Sequence, residues 1–132
     1  MKNISIGAKG SFTLEVKPEH LANRFKDAIL PPVLATPVMI MVMENAALNA
    51  IKHALEPGES AVGTRIDVSH TAATPVGMRV MGEAELTRVE GKRLEFRVRA
   101  RDEREEIGAG THERVIVDVA RLAKRLAAKR AR

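Results

Sequence analysis

The sequence predicts an α+β fold in which a curved antiparallel β-sheet surrounds one long helix. Residues 36–55 are apolar on nearly every face of a helix, so the rest of the chain must bury them. Three of the four later strand segments alternate apolar and polar side chains, with the period of two that is typical of half-buried strands. We expect residues 1–132 to form a single domain, because a chain of this length has room for one moderate core.

The central helix is predicted to run from Thr36 to Leu55. Thr36 is a favourable N-cap, Pro37 suits the first helical position, and Pro57-Gly58 ends the segment. Glu44 lies near the middle of the run, which argues against a helix in lipid. Burial disfavours the charged form of a carboxylate, so Glu44 suits a base or a nucleophile near neutral pH. The alternative is that Glu44 reaches solvent or pairs with a base from another subunit.

One strand and one short helix are predicted before the central helix. Residues 11–16 alternate apolar and polar side chains and form the strand. Residues 19–30 form the short helix, and Leu30-Pro31-Pro32 breaks it. Its apolar side would carry Leu21, Phe25 and Ala28. Such a segment either covers a cavity or only connects two elements, and both interpretations remain open.

Three further strands are predicted after Pro57-Gly58. In the first, residues 60–74, one parity carries Val62, Thr64, Ile66, Val68 and His70. His70 would therefore face the core. Residues 78–86 and 94–100 alternate in the same way, with Glu90-Gly91 as a two-residue hairpin turn before the second of them.

The last predicted elements are a strand over residues 107–117 and a basic helix over residues 118–130. Gly108 and Gly110 indicate a bulge or the close approach of another group, and parity does not fix which side of this strand faces the core. The helix carries an apolar stripe formed by Val119, Leu122 and Leu126.

The net charge of +5 has a local source. Residues 118–132 carry six bases and one acid, so residues 1–117 balance to zero. The basic end could attract the phosphates of a nucleic acid, a membrane or a nucleotide-bearing small molecule, although a solvated helix face is the favoured interpretation. Three phenylalanines are the only aromatic residues available for stacking on single-stranded nucleic acid, which argues against that partner.

Several function classes are excluded by what the sequence lacks. It has no cysteine, which excludes disulfides, thiol nucleophiles and cysteine metal sites, and we expect a cytoplasmic protein. No signal peptide, lipidation motif or membrane span is evident. The four histidines have no metal-ligand spacing, and no phosphate loop, dinucleotide fingerprint or nucleophile elbow is present. We therefore expect neither a metal nor a cofactor.

Four residues besides Glu44 are candidates for a site. His70 is either a satisfied core histidine or a proton-transfer group. Thr36 lies about 12 Å from Glu44 along the helix axis, so the two share a site only if the preceding chain folds back or the helix begins later. Gly63 would permit the close approach of a ligand, and Arg114 could bind an anion. Tight strand packing and an exposed strand arginine are the structural alternatives for these two.

Five strings of the sequence, taken together, closely resemble those of hotdog-fold thioesterases of the fluoroacetyl-CoA thioesterase type. The resemblance extends from about Thr36 to the C-terminus and implies the same fold, a curved antiparallel sheet around one helix. The strings are LEPGE at 55–59, GT at 63–64, SHTAATP at 69–75, VEG at 89–91 and IGAGTHER at 107–114.

The resemblance implies a homodimer that hydrolyses acyl-CoA thioesters in a pocket at the subunit interface. The family's catalytic residues fall on Thr36, Glu44 and His70, and its substrate-contacting residues fall on Gly63 and Arg114. Glu44 would attack the thioester carbonyl or activate water, and His70 would handle protons. Thr36 would orient the carboxylate, and the backbone near Gly63 would help to hold the carbonyl oxygen.

The sequence departs from the family in the segment before the central helix. The fluoroacetyl-selective member carries phenylalanines in a lid, whereas residues 27–32 here read DAILPP. Selectivity for fluorine is therefore not carried over from that member, and a small or medium acyl-CoA is the expected substrate class. Two alternatives remain: a hotdog protein that binds acyl-CoA or a related ligand without turnover, and a nucleic-acid-associated protein that uses the C-terminal helix.

Overall fold

A computed structural model of the chain describes residues 1–131. It contains five strands, three α-helices and two single turns of 3₁₀-helix, at Pro18–His20 and Lys52–Ala54. The elements are β1 (Lys9–Glu15), α1 (Ala22–Phe25), α2 (Thr36–Ile51), β2 (Glu59–His70), β3 (Arg79–Glu90), β4 (Arg93–Arg101), β5 (Glu106–Asp118) and α3 (Val119–Arg130).

The five strands form one antiparallel sheet in the order β1-β3-β4-β5-β2, and α2 lies against one face of it. The predicted antiparallel sheet around a central helix is therefore confirmed. The strands that follow the helix do not pair simply in sequence order, because β2 pairs with β5 rather than with β3. This connection leaves β2 at one edge of the sheet and β1 at the other.

The core is the contact between α2 and the sheet. Eight residues of the helix are buried, and apolar side chains of β3 and β4 cover them. The helix backbone lies so close to β3 that a Cβ atom on Gly82 would come within 2.7 Å of the carbonyl oxygen of Val42. The buried helix residues are Val38, Met39, Val42, Met43, Ala46, Ala47, Ala50 and Ile51.

The start of α2 differs from the prediction. Ala35 is the N-cap, Thr36 is the first helical residue, and no side chain caps this end of the helix. The Thr36 hydroxyl instead contacts His70, a residue 34 positions further along the chain. The N-cap assignment of Thr36 was therefore wrong, because a tertiary contact takes the hydroxyl that a cap would have used.

The predicted short helix over residues 19–30 was also wrong in extent. The structure has a 3₁₀ turn, the four-residue helix α1 and then turns, one of which is closed by a hydrogen bond from the Ile29 amide to Asp27 Oδ1 (3.0 Å). Leu21 is buried as the pattern predicted, but Phe25 is 53% exposed. An α-helix of one turn is too short to present the apolar face that the spacing indicated.

A β-bulge in β2 breaks the predicted alternation of this strand. The register with β5 shifts between Gly63 and Arg65, so Ala61 is buried and Val62 is 38% exposed, the reverse of what parity predicted. Beyond the bulge the predicted alternation is present: Ile66, Val68 and His70 are half-buried, and the residues between them are exposed. The predicted facing was therefore wrong only for the part of β2 that precedes the bulge.

The alternation predicted for β3 and β4 is confirmed. Their core-facing residues are buried. The hairpin between them has a two-residue loop, as predicted, but the loop is Gly91 and Lys92, because Glu90 pairs with Arg93. The buried residues are Val80, Ala84, Leu86, Leu94, Phe96, Val98 and Ala100.

The C-terminal helix α3 leaves the sheet and is capped by Asp118, whose Oδ1 accepts a hydrogen bond from the Arg121 amide (2.9 Å). None of its residues is buried, and Leu126 is 54% exposed. Among residues 1–131, no helix is long and apolar enough to cross a membrane.

Candidate active site

Thr36 and His70 form the first of two polar groups on the helix-facing side of the sheet. The first turn of α2 and the last residue of β2 bring Thr36 Oγ1 to 2.8 Å from His70 Nδ1. The other ring nitrogen, Nε2, is buried and has no hydrogen-bond partner within residues 1–131. Burial lowers the pKa of His70, against a smaller opposite effect of a backbone hydrogen bond at Ala72, which favours the neutral imidazole near pH 7.

An open cleft of about 360 Å³ adjoins this pair. Its walls come from three places: the segment before α2, the start of α2 and the residues that follow β2. The segment before α2 therefore lines a cleft rather than only connecting two elements. Glu44 is not among the residues that line the cleft. The apolar residues of the wall are Ala22, Leu30, Pro31, Val33, Leu34, Ala72 and Ala73.

Glu44 belongs to a second polar group, with Gly63 and Arg114. The Glu44 side chain is half-buried on α2 and points to the bulge in β2. A Cβ atom on Gly63 would lie only 2.7 Å from Glu44 Oε2, so the missing side chain at this position makes room for the carboxylate. Within residues 1–131 the carboxylate forms no hydrogen bond and no ion pair, which leaves it free to act on a ligand.

Arg114 lies beside this carboxylate on β5. It is buried, with 8% of its surface exposed, and its Nη2 donates a hydrogen bond to the carbonyl oxygen of Ala61 (2.7 Å). Burial lowers the pKa of Arg114, and the negative charge of Glu44 opposes this effect. The guanidinium therefore supplies a fixed positive charge next to Glu44 and Gly63. Its Nε is buried without a partner within residues 1–131.

The two groups are separated within one chain. Thr36 and Glu44 are eight residues apart on α2, which is about 12 Å along the helix axis. Gly63 and His70 are seven residues apart on β2, which is about 23 Å along a strand. The structure thus brings Thr36 to His70, and Glu44 to Gly63 and Arg114, but one chain alone does not bring both groups to the same place.

One residue of the site, His112, was missed by the sequence-based reasoning. His112 was considered only as a metal ligand, and among residues 1–131 no cluster of three or more histidine, cysteine, aspartate or glutamate side chains could hold a metal ion. It is buried on β5, and its Nε2 lies 3.2 Å from Nη1 of Arg114. The available signal was its position two residues from Arg114, which places both on the same face of a strand.

Comparisons with known proteins agree on one family. The profile of the family described as fluoroacetyl-CoA-specific thioesterase matches residues 16–120. A fluoroacetyl-CoA thioesterase from Streptantibioticus cattleyicolor is 52% identical over 90 residues, which cover 68% of this chain. The match spans 65% of the length of that relative.

Solved structures extend the similarity to nearly the whole chain. A substituted form of the fluoroacetyl-CoA thioesterase in complex with acetyl-CoA has a TM-score of 0.92 and 38% identity, covering 97% of this chain and 100% of that one. A protein from Thermus thermophilus, described as a thioesterase superfamily member, has a TM-score of 0.88 and 35% identity, covering 98% of this chain and 97% of that one.

Proposed function

The chain belongs to the fluoroacetyl-CoA-specific thioesterase family, whose members are thioester hydrolases, and we propose that it hydrolyses a small or medium acyl-CoA thioester to the free acid and CoA. The membership confirms the resemblance and the hotdog fold that the sequence predicted. The observation that carries the proposed reaction is the Glu44 carboxylate, which has no partner within residues 1–131 and lies beside a bulge and a buried arginine.

Glu44 is the group that starts the reaction. As a nucleophile, its Oε attacks the carbonyl carbon, the C–S bond breaks, and CoA leaves as a thiolate; water then hydrolyses the acyl–glutamate anhydride. As a general base, Glu44 takes a proton from a water molecule, which attacks the same carbon and releases the same products. Both routes need the carboxylate in the same place, so the geometry serves either.

His70 and Thr36 manage the proton of the leaving group. A neutral His70, favoured by burial, has one ring nitrogen held by the Thr36 hydroxyl and the other without a hydrogen-bond partner within residues 1–131. If Nδ1 accepts a hydrogen bond from the Thr36 hydroxyl, the ring carries its proton on Nε2, and Nε2–H can donate to the departing sulfur. The resemblance implied that Thr36 orients the carboxylate; we assign it instead to orienting the imidazole.

Gly63 and Arg114 contact the substrate. The bulge between Gly63 and Arg65 interrupts the regular pairing of β2, which supports a role for the backbone at Gly63 in holding the thioester oxygen. The positive charge of Arg114 stabilises negative charge that develops close to Glu44. Neither role needs a metal ion or a cofactor.

The active enzyme is a homodimer with its sites at the subunit interface. The two polar groups lie too far apart in one chain to act on one substrate. Each active site therefore combines Thr36 and His70 of one subunit with Glu44, Gly63 and Arg114 of the other. β2 supports this arrangement, because it is a 12-residue edge strand whose outer side has no neighbour within residues 1–131. Antiparallel pairing of two such edges gives a symmetric dimer, with a mass of twice 14.4 kDa in light scattering.

The cleft beside His70 supports a small or medium acyl group. Residues 27–32 correspond to the lid segment of the fluoroacetyl-selective member. Of these residues, Leu30 and Pro31 line the cleft, whereas Asp27 is an exposed turn residue that does not. No phenylalanine lines this cleft among residues 1–131, and a substituted form of a family member is known in complex with acetyl-CoA. We propose short and medium acyl-CoA thioesters as substrates and the cytoplasm as the location.

A second candidate is a hotdog protein that binds acyl-CoA without hydrolysing it. The separation of Glu44 from His70 in one chain favours this function if the protein is a monomer. Tight binding of acetyl-CoA without thiol release would support it.

The test is thiol release from a series of acyl-CoA thioesters, measured for the wild type and for Glu44→Gln. Glutamine keeps the shape of the side chain but is neither a nucleophile nor a base, so we expect the rate to fall by about 10³-fold or more. An unchanged rate would contradict the role of Glu44. If the wild type releases no thiol from any substrate but still binds acetyl-CoA, hydrolysis is contradicted and the binding function is supported.

A further inference from the structure

His112 lies next to Arg114 and Gly63, and the proposed reaction gives it no role. Its ring is buried, with 2% of its surface exposed, and stacks on Phe96 at a centroid distance of 6.1 Å and an interplanar angle of 28°. Both ring nitrogens have polar neighbours. Nδ1 lies 2.8 Å from the carbonyl oxygen of Arg65, and Nε2 lies 3.2 Å from Nη1 of Arg114.

These neighbours determine the protonation of the ring. A backbone carbonyl can only accept a hydrogen bond, so Nδ1 of His112 carries the proton. A guanidinium can only donate, so Nε2 must be the unprotonated acceptor for Arg114. Burial lowers the pKa of His112, with the Arg65 carbonyl opposing this effect, and therefore supports the neutral ring that this pattern requires.

The same contacts hold the bulge in β2 from both sides. His112 donates to the Arg65 carbonyl on one side of Gly63, and Arg114 donates to the Ala61 carbonyl on the other. His112 Cε1 would lie 3.2 Å from a Cβ atom on Gly63, so the ring also forms the floor below that residue. Gly63 and Arg114 are thus fixed by one connected set of hydrogen bonds.

We propose that His112 is a positioning residue that fixes Arg114 and the Gly63 bulge beside the Glu44 carboxylate. This role rests on the proposed function, in which Gly63 and Arg114 contact the substrate. It differs from that of a buried aromatic filler, because it needs an acceptor at Nε2 and not only a ring of the right size. The charged groups that face the ring are Arg114, Glu44 and Glu113.

Three substitutions separate the two roles. His112→Phe keeps a ring against Phe96 but removes both polar contacts. His112→Gln can place an amide oxygen near the position of Nε2, and His112→Asn can place an amide nitrogen near that of Nδ1. We expect kcat/KM for acetyl-CoA to fall about 10- to 100-fold in the phenylalanine and asparagine variants, and His112→Gln to recover most of it. Equal loss in all three, or no loss, would overturn the proposal.

A double-mutant cycle tests whether His112 acts through Arg114. The loss caused by His112→Phe should be smaller in an Arg114→Gln background than in the wild type, because one of the two features that His112 positions is then absent. Full additivity of the two substitutions would overturn the proposal.

A readout that does not need turnover keeps this proposal distinct from the proposed function. Nitrogen-15 NMR of the wild-type ring should show a protonated Nδ1 and an unprotonated Nε2 near pH 7, and Arg114→Gln should raise the pKa of His112 by removing a nearby positive charge. Protonation at Nε2 would overturn the positioning role. If the wild type releases no thiol, the proposed function fails, and acetyl-CoA affinity in the same three variants tests the role of His112.

Discussion

The two halves of the sheet, β1 with β3 and β5 with β2, contact α2 in different ways. The helix lies closest to β1 and β3, where apolar side chains and the backbone at Gly82 meet it directly. It lies farther from β2 and β5, and polar side chains that reach from these strands toward it include His70, His112 and Arg114. We call the first side the packed side and the second the polar side. The same helix therefore forms the core with one face and presents Glu44 with another.

The difference between the two sides is visible in the surroundings of two glycines, Gly63 and Gly82. A Cβ atom would come within 2.7 Å of another atom at both. The atoms at Gly82 belong to Val42, including its backbone carbonyl, which cannot move without moving the helix. The nearest atom at Gly63 is the end of the Glu44 side chain, which can rotate away. An added methyl group should therefore damage stability on the packed side and activity on the polar side.

The largest expected effect is on the packed side. Gly82→Ala should lower the free energy of unfolding by about 3 kcal/mol, at the upper end of the range for overpacked cores. Urea denaturation followed by circular dichroism measures this change. A loss below about 0.5 kcal/mol would show that the helix can shift, and would remove the distinction between the two sides.

The matched change on the polar side is Gly63→Ala. It should displace the Glu44 carboxylate and reduce kcat/KM about 100-fold, because a misplacement of about 1 Å is enough for such a loss. The free energy of unfolding should change by less than about 1 kcal/mol, since only a side chain must move. Full activity together with lost stability would mean that Gly63 serves packing alone.

The packed side was predicted well from the sequence, for a physical reason. On β3 as far as Leu86, and on the neighbouring strand β4, every second residue is apolar or glycine and buried, so the period of two in the sequence is the period of the structure there. The apolar run of α2 predicted its burial in the same way. The hairpin loop was displaced by one residue, since Gly91 with a φ of 62° is its first residue rather than its second, and α2 ends at Ile51 rather than at Leu55.

The polar side was predicted less well, because its geometry depends on contacts between distant residues. The bulge at Gly63 arises from pairing with β5, which the alternation in β2 does not reveal. Gly108 and Gly110 leave no side chains from which to infer the facing of β5, and a Cβ atom on Gly108 would collide with Met39 and the backbone of Ser69. Parity places His112 and Arg114 on one face of β5, but it did not show that this face looks toward Glu44.

A smaller effect is expected at Thr36, which joins the helix start to His70. Thr36→Val removes the hydroxyl but keeps the branched shape, and should lower kcat about tenfold by releasing the imidazole, whereas Thr36→Ser should retain most activity. The free energy of unfolding should stay within about 0.5 kcal/mol, because Thr36 is not a cap. A loss of about 1 kcal/mol in the valine variant would restore the capping role.

The smallest expected effect is a decrease in the free energy of unfolding in acid, caused by two histidines of the polar side. The pKa values of His70 and His112 are lowered in the folded protein, chiefly by burial. The unfolded chain therefore binds protons first as the pH falls below about 6.5, and the free energy of unfolding decreases from that pH downward. Urea midpoints between pH 7.5 and 5 should show a shallower decrease for His70→Asn than for the wild type. Identical slopes would show that burial of this ring does not affect stability.

The central claim is that each active site combines Glu44 of one subunit with His70 of the other. The direct test is a mixed dimer, purified with two different tags, of one Glu44→Gln subunit and one His70→Asn subunit. Both parent dimers should be inactive, whereas the mixed dimer has one site with both native residues and should show about half the activity of the wild-type dimer. A mixed dimer no more active than its parents would contradict a site shared between subunits.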